Sequence, residues 1–214
     1  MFIEIPSNFL KLIATDSDRI PKLYYYPCVC ARKFFWLRLR MFYKLIKKYG
    51  PNYKACLDFG CGSGVFIPTL SNMFKEVVGI DLEINEAYKV LEYYNLNNKN
   101  VKLISGDINK ADIAQNRFDV ICAADVLEHF KDLHLPIRQI KKWLKDTGIL
   151  LTSLPTENLI TKITRVLGGY KKPWDHYHTG EEVEAEIIRA GFKRVKTKVI
   201  MPIFPLYIIS VWSR

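Results

Sequence analysis

The 214-residue chain has no apolar run long enough to cross a bilayer. Its longest, Val199 to Trp212, is too short and is broken by Pro202 and Pro205, so a strand end, a turn and a second strand are expected there, and no transmembrane segment. Cysteine is scarce and odd in number: of Cys28, Cys30, Cys56, Cys61 and Cys122, three lie in apolar strands or a glycine turn. That pattern argues against a disulfide framework and fits reduced thiols in a cytoplasmic protein. Cys28-x-Cys30 lacks the second pair that would complete a metal site. Internal repeats and low-complexity segments are missing. Met1 to Pro6 has neither a basic leader nor a long apolar stretch, so no secretory signal is expected. With 49% of residues apolar and 25% charged, disorder and a membrane bundle both drop out, and residues 1–214 read as one domain with a full core.

Charge is present in excess of one sign but unevenly. Residues 1–54 hold eleven Lys or Arg against Glu4, Asp16 and Asp18, a net +8; residues 55–130 carry −5 and the remainder +7. Basic ends of this kind meet RNA, an anionic membrane surface or an acidic substrate, or are simply a solvated surface. The middle of the chain, by contrast, places acidic residues at the ends of apolar strands. Ala55 to Phe59 runs into Gly60-Cys61-Gly62-Ser63-Gly64, and Val65-Phe66-Ile67 should open a helix. Glycines let the main chain approach a ligand closely, although such a turn can also be merely tight. Glu76 to Ile80 ends on Asp81, about 20 residues later, where a carboxylate can accept from two ribose hydroxyls. Val101 to Ile104 ends in Ser105-Gly106-Asp107-Ile108, and Phe118 to Ala123 in Ala124-Asp125. Carboxyl ends of parallel strands are where open α/β sheets bind ligands.

These stretches, Leu57 to Gly64, Val78-Gly79-Ile80-Asp81, Gly106-Asp107-Ile108 and Phe118-Asp119-Val120 with Val126-Leu127-Glu128-His129, resemble the class I S-adenosylmethionine-dependent methyltransferases, in particular the small-molecule type related to the ubiquinone-pathway O-methyltransferases. The resemblance covers roughly residues 34–200. It implies an α/β, Rossmann-like, doubly wound sheet of seven mostly parallel strands, order 3-2-1-4-5-7-6 with the last antiparallel, and helices on both faces. It implies S-adenosylmethionine as cofactor and methyl transfer to an oxygen or nitrogen of a small-molecule, sugar or lipid-linked acceptor. RNA 2′-O-methylation, and a partner subunit without activity, are the alternatives. By the same resemblance Gly60, Gly62 and Gly64 approach the methionine and ribose portion, Asp58 orients the turn, and Asp81 binds the ribose. Asp107 and the Ile108 amide meet the adenine, and Asp125 faces the methyl. Leu82 packs on the adenine or in the core.

Asp125, Glu128 and His129 stand at i, i+3 and i+4, so one helical turn would put them on one face, a set suited to a divalent ion such as magnesium. His176, in Asp175-His176-Tyr177-His178, resembles the further histidine ligand of the RNA enzymes. The other readings are a general base at His129 or His176, with Asp125 also catalytic, or purely structural roles. Trp174 and Tyr177 are candidates for an aromatic wall around the acceptor. Around this core, residues 1–54 form a basic, aromatic extension: a short helix near Asn8 to Ala14, then an amphipathic helix from Ala31 to Tyr49 with Phe35, Leu39, Phe42 and Ile46 on one stripe, ended by Gly50-Pro51. That helix packs on the core or lies on a membrane surface. Further helices are expected over Asn85 to Tyr94, Asp132 to Lys145 and from Thr179 to Ala190, and a fifth strand over Ile149 to Leu154. Residues 156–179 are a substrate-side insertion.

Overall fold

The computed structural model describes residues 1–14, 20–50, 52–97, 99–156, 176–200 and 206–214. Most of the expected insertion, Trp174 included, lies outside them. The strands are β1 (Ala55–Phe59), β2 (Glu76–Asp81), β3 (Val101–Ser105), β4 (Phe118–Ala124), β5 (Leu144–Pro155), β6 (Lys193–Ile200) and β7 (Tyr207–Ser213). They form one sheet of order β3-β2-β1-β4-β5-β7-β6, as the family resemblance implies. The first five run parallel, and β7 is antiparallel to both β5 and β6.

Because strand side chains alternate, each central strand feeds two cores. Cys56 joins the cluster under α1 (Ser7–Ile13), α2 (Val29–Tyr49), α3 (Ile67–Ser71) and α4 (Asn85–Tyr93), to which Leu10, Phe42, Leu70 and Val90 contribute. Leu57 and Phe59 join the opposite cluster under α5 (His134–Trp143) and α6 (Gly180–Arg189), with Ile140, Trp143, Val183 and Ile187. The α2 stripe of Phe35, Leu39, Phe42 and Ile46 is buried as expected, and each such side chain contributes roughly 1.5–3 kcal/mol. Gly50 ends α2 for a steric reason: its φ of −137° is open to any residue, but a Cβ there would lie 2.2 Å from the Tyr53 ring. Thr179 and Glu182 close a capping box on α6, each side chain accepting from the other's amide.

Three local differences from expectation have physical causes. The helix expected to open at Val65 starts only at Ile67, because Cys61 to Phe66 is spent in turns. The helix expected to reach Lys145 stops at Trp143, and β5 begins at Leu144, five residues early. Leu144 pairs with Phe118 and Ile149 with Val120, so the residues between them bulge out. The bulge returns Lys145 to Asp119, 2.8 Å away, whose other oxygen accepts the Lys54 and Ala55 amides at 2.9 Å each. Burial opposes ionisation of Asp119, but Lys145 and the two amides outweigh it and hold the carboxyl below its usual range. The third difference, at Asp125, belongs to the site.

Candidate active site

One wall is made of backbone at the ends of β1, β2 and β3. The Gly60 and Cys61 amides both donate to the Ile80 carbonyl, at 2.9 and 3.0 Å, tying the turn to the end of β2. Gly60 has φ 72°, and a Cβ on it would lie 2.2 Å from Val126 Cγ2, so no side chain fits. Gly62, at φ 49°, is the reverse: nothing lies within 4 Å of an added Cβ, and its amide donates to Asp81 Oδ2 at 2.8 Å. Its backbone therefore borders open space next to a carboxylate. Gly106 is equally open and donates to the Asp81 carbonyl at 2.9 Å. Asp107 accepts the Asn109 amide at 2.9 Å and caps the short turn over Ile108 to Lys110, in which Ile108 is buried. Leu82 is 64% exposed, so of its two readings core packing is overturned: it is free to cover a planar ring.

Asp58 lies behind this wall with only 4% of its surface exposed. Burial first, and the neighbouring Asp81 charge second, push its carboxyl up to about 7. A cation arriving beside it would restore its charge.

The other wall is made of side chains from distant segments. Asp125 follows β4 with φ 53°, its amide donating to the Ser153 carbonyl at 2.9 Å. The Ser153 hydroxyl donates to Asp125 Oδ1 at 2.8 Å, and Oδ2 pairs with Arg38 Nη1. Arg38, 5% exposed, also donates to the Tyr24 hydroxyl at 2.8 Å, and its guanidinium stands 3.7 Å from the centre of the Phe35 ring. Burial by itself lowers the Arg38 pKa; Asp125, Tyr24 and Tyr207 more than offset it and raise the group above its ordinary value. Burial in turn pushes the Tyr207 hydroxyl up to about 12. Arg38 Nε is buried and meets no hydrogen-bond partner among the described residues.

This pairing corrects the expectation that Asp125 shares a face with Glu128 and His129. The left-handed backbone at Asp125 separates it from the 3-10 turn, which starts at Leu127, and aims its carboxylate at α2. Glu128, His129 and His176 do converge: one ligand atom from each lies within 4.8 Å of the others. The two imidazoles meet edge to face with centres 4.7 Å apart. The Glu128 carbonyl accepts the Tyr177 amide at 2.9 Å and the His178 amide at 3.4 Å, pinning the end of the insertion to this turn. One carboxylate and two imidazoles suit manganese, iron or zinc better than magnesium. Tyr177 is 42% exposed, with the Lys131 ammonium 5.6 Å from its ring centre.

Sequence reasoning did not assign Arg38, Tyr24, Ser153 or Tyr207 to the site. For Arg38 a signal existed: three residues after Phe35 and four before Phe42, it is a cation on the apolar stripe of α2, where an unpaired charge is too costly. Tyr24 and Tyr207 carry no comparable mark.

Comparison with known proteins agrees with this architecture. A family model described as a methyltransferase domain matches residues 30–196. The ubiquinone biosynthesis O-methyltransferase of Azorhizobium caulinodans is 27% identical over 146 residues, 64% of this chain and 58% of that protein. The (S)-coclaurine N-methyltransferase of Papaver somniferum is 32% identical over 100 residues, 45% of this chain and 28% of that one. The chain thus spans about half or less of the length of these curated relatives. Among solved structures, the N-methyltransferase NodS of Bradyrhizobium japonicum, in complex with S-adenosyl-L-homocysteine, superposes with a TM-score of 0.70 at 18% identity, covering 96% of each chain. The magnesium protoporphyrin IX methyltransferase of Synechocystis gives 0.69 at 16% identity, covering 97% of this chain and 93% of that one. Sheet order and the motifs at the strand ends agree with a match over most of the sequence, and the chain belongs to the methyltransferase domain family.

Proposed function

We propose that the chain is an S-adenosylmethionine-dependent methyltransferase acting on an oxygen or nitrogen of a small-molecule acceptor. The observation that carries this reading is the open Gly62 turn with its amide on Asp81: a backbone cradle beside a strand-end carboxylate, built to receive a ribose-bearing ligand. Gly60, Gly62 and Gly64 would border the methionine and ribose portion, Asp81 would accept from the ribose hydroxyls, and Asp107 with the Ile108 amide would meet the adenine beside Leu82. Asp58, buried and near neutrality, suits the cofactor's ammonium. Arg38, with its free Nε, suits the cofactor's carboxylate. Several relatives act, by their names, on small molecules at oxygen or nitrogen, which supports the acceptor class.

The cofactor supplies a methyl already activated by a positive sulfur. Bound at the Gly62 turn and Asp81, it would offer that methyl to a lone pair of the acceptor. The protein's part is alignment and removal of the acceptor proton. His129 and His176, whose imidazoles meet edge to face, would be the groups to take that proton, and with Glu128 they form a donor set that would hold a divalent ion. Asp125 in this reading positions Arg38 and joins neither role.

Calorimetric titration with S-adenosylmethionine and S-adenosylhomocysteine tests the assignment. Micromolar binding is expected; none at millimolar cofactor would leave a partner subunit without activity. Manganese or magnesium added with acceptor present separates the two roles of the histidines. A chelator-sensitive rate assigns them to an ion, and a chelator-insensitive rate lost in His129→Ala assigns a base.

A further inference from the structure

We propose that the outer face of the N-terminal extension docks on an anionic bilayer, with the segment Leu23 to Cys30 inserted at headgroup depth. That segment is an apolar knuckle. Leu23, Tyr26 and Val29 are 36%, 39% and 50% exposed, and Cys28 and Cys30 are exposed beside them. It is also rigidly built: Tyr24 is buried beneath it, edge-on to the Phe35 ring, and Arg32 Nη1 donates to the Tyr26 and Pro27 carbonyls. Exposed apolar groups gathered on one turn and rimmed by charged residues mark an interaction surface.

The surroundings select the occupant. Lys22 and Lys33 flank the knuckle, and α2 carries Lys33, Arg40, Lys44 and Lys47 outward at intervals of seven, four and three, one stripe along the helix. Arg40 is paired with Glu4; Lys33, Lys44 and Lys47 remain as positive charge on that stripe. Beside Lys33 and the Arg40–Glu4 pair lies an open groove of about 490 Å³, which Cys30, Phe34 and Leu37 also line and whose surface is mostly apolar. Apolar tip, Tyr26 at the boundary and a cationic stripe behind are the pattern of an interfacial anchor. RNA would reward the lysines but not Leu23 and Val29. Tyr24 links the knuckle through Arg38 to Asp125, so docking addresses the same end of the fold as the site. The proposal does not depend on the catalytic reading.

The test is flotation of the full chain with vesicles of phosphatidylcholine alone and with a third of the lipid replaced by phosphatidylglycerol, at low and high salt. Binding is expected only to the anionic vesicles and should weaken with salt. Leu23→Asp/Val29→Asp and, separately, Lys33→Glu/Lys44→Glu should each weaken it by about tenfold or more, with circular dichroism and melting temperature unchanged as the sign that the fold is intact. Wild-type protein that does not float, or floats equally in both double variants, overturns the proposal. So does binding that single-stranded RNA abolishes while the Leu23→Asp/Val29→Asp variant keeps wild-type RNA affinity, which would make the face a nucleic-acid surface.

Discussion

The glycine turn and the Arg38 cluster, the two walls of the proposed site, are assembled over different distances in the chain. The first is closed by contacts such as Gly62 to Asp81, nineteen residues apart, and by amides that any sequence with the right glycines would present. The second joins Arg38 of α2, Asp125 after β4 and Ser153 of β5, with Tyr24 before α2 and Tyr207 of β7 against the guanidinium. Backbone walls depend on φ and tolerate most neighbours; side-chain walls depend on every partner being present. The two should therefore fail differently when mutated.

The largest effect belongs to the side-chain wall. Arg38 is buried and Asp125 only partly so, and removing either partner leaves the other charge poorly compensated; Arg38→Met, or Asp125→Asn, which suits the left-handed backbone, should each cost up to about 3 kcal/mol of unfolding free energy. The double variant should recover most of that loss. Urea denaturation of the three proteins decides it; additive losses would mean the pair contributes little coupling and the contrast between the walls is wrong.

On the backbone wall the corresponding damage is local. Gly60→Ala meets both a left-handed φ of 72° and Val126, and should lose about 2–3 kcal/mol, part of it restored by Val126→Ala. Gly62→Ala, with open space around it, should fold with a loss of only about 1 kcal/mol and yet bind cofactor poorly. Thermal melts with and without S-adenosylhomocysteine separate the two; equal stability losses would show that the Val126 contact does not distinguish them.

Asp81 tests the wall's chemistry rather than its shape. Asp81→Ala removes a charged acceptor and should weaken cofactor binding by roughly 2 kcal/mol or more, read by calorimetry. Unchanged affinity would overturn its role, and with it the view that this wall receives the ribose.

The same difference in range explains what was legible. Strand ends, and the placing of Asp58, Gly60, Gly62, Gly64, Asp81 and Asp107 at or beside them, follow from short motifs, because a parallel strand and its following turn are specified within about ten residues; the sheet order was implied only by the family resemblance that those motifs carry. The α2 stripe was equally plain. What sequence could not supply was direction. A regular turn through Asp125 would have put it with Glu128 and His129, and only the left-handed backbone there, together with Arg38 and Ser153 from far along the chain, turns it away. The early start of β5 has the same origin, since Lys145 answers to Asp119 on the neighbouring strand.

The smallest effect joins the walls' electrostatics to pH. Asp58 has its folded pKa raised to about 7 from 3.8, so the folded protein holds that proton more tightly than the unfolded chain. Its contribution to stability is full below about pH 4 and is lost as pH rises to 7, and Asp58→Asn should remove that slope from the melting temperatures of the ligand-free protein. Binding of a cationic cofactor has the opposite sign, because it requires the ionised form. Affinity for S-adenosylmethionine should rise roughly tenfold between pH 6 and pH 8 and level off above, about 1.4 kcal/mol. Asp58→Asn should bind with an affinity that no longer changes across that range. A wild-type affinity that is flat with pH would mean the cofactor's charge is met elsewhere, and Asp58 then serves only to brace the turn.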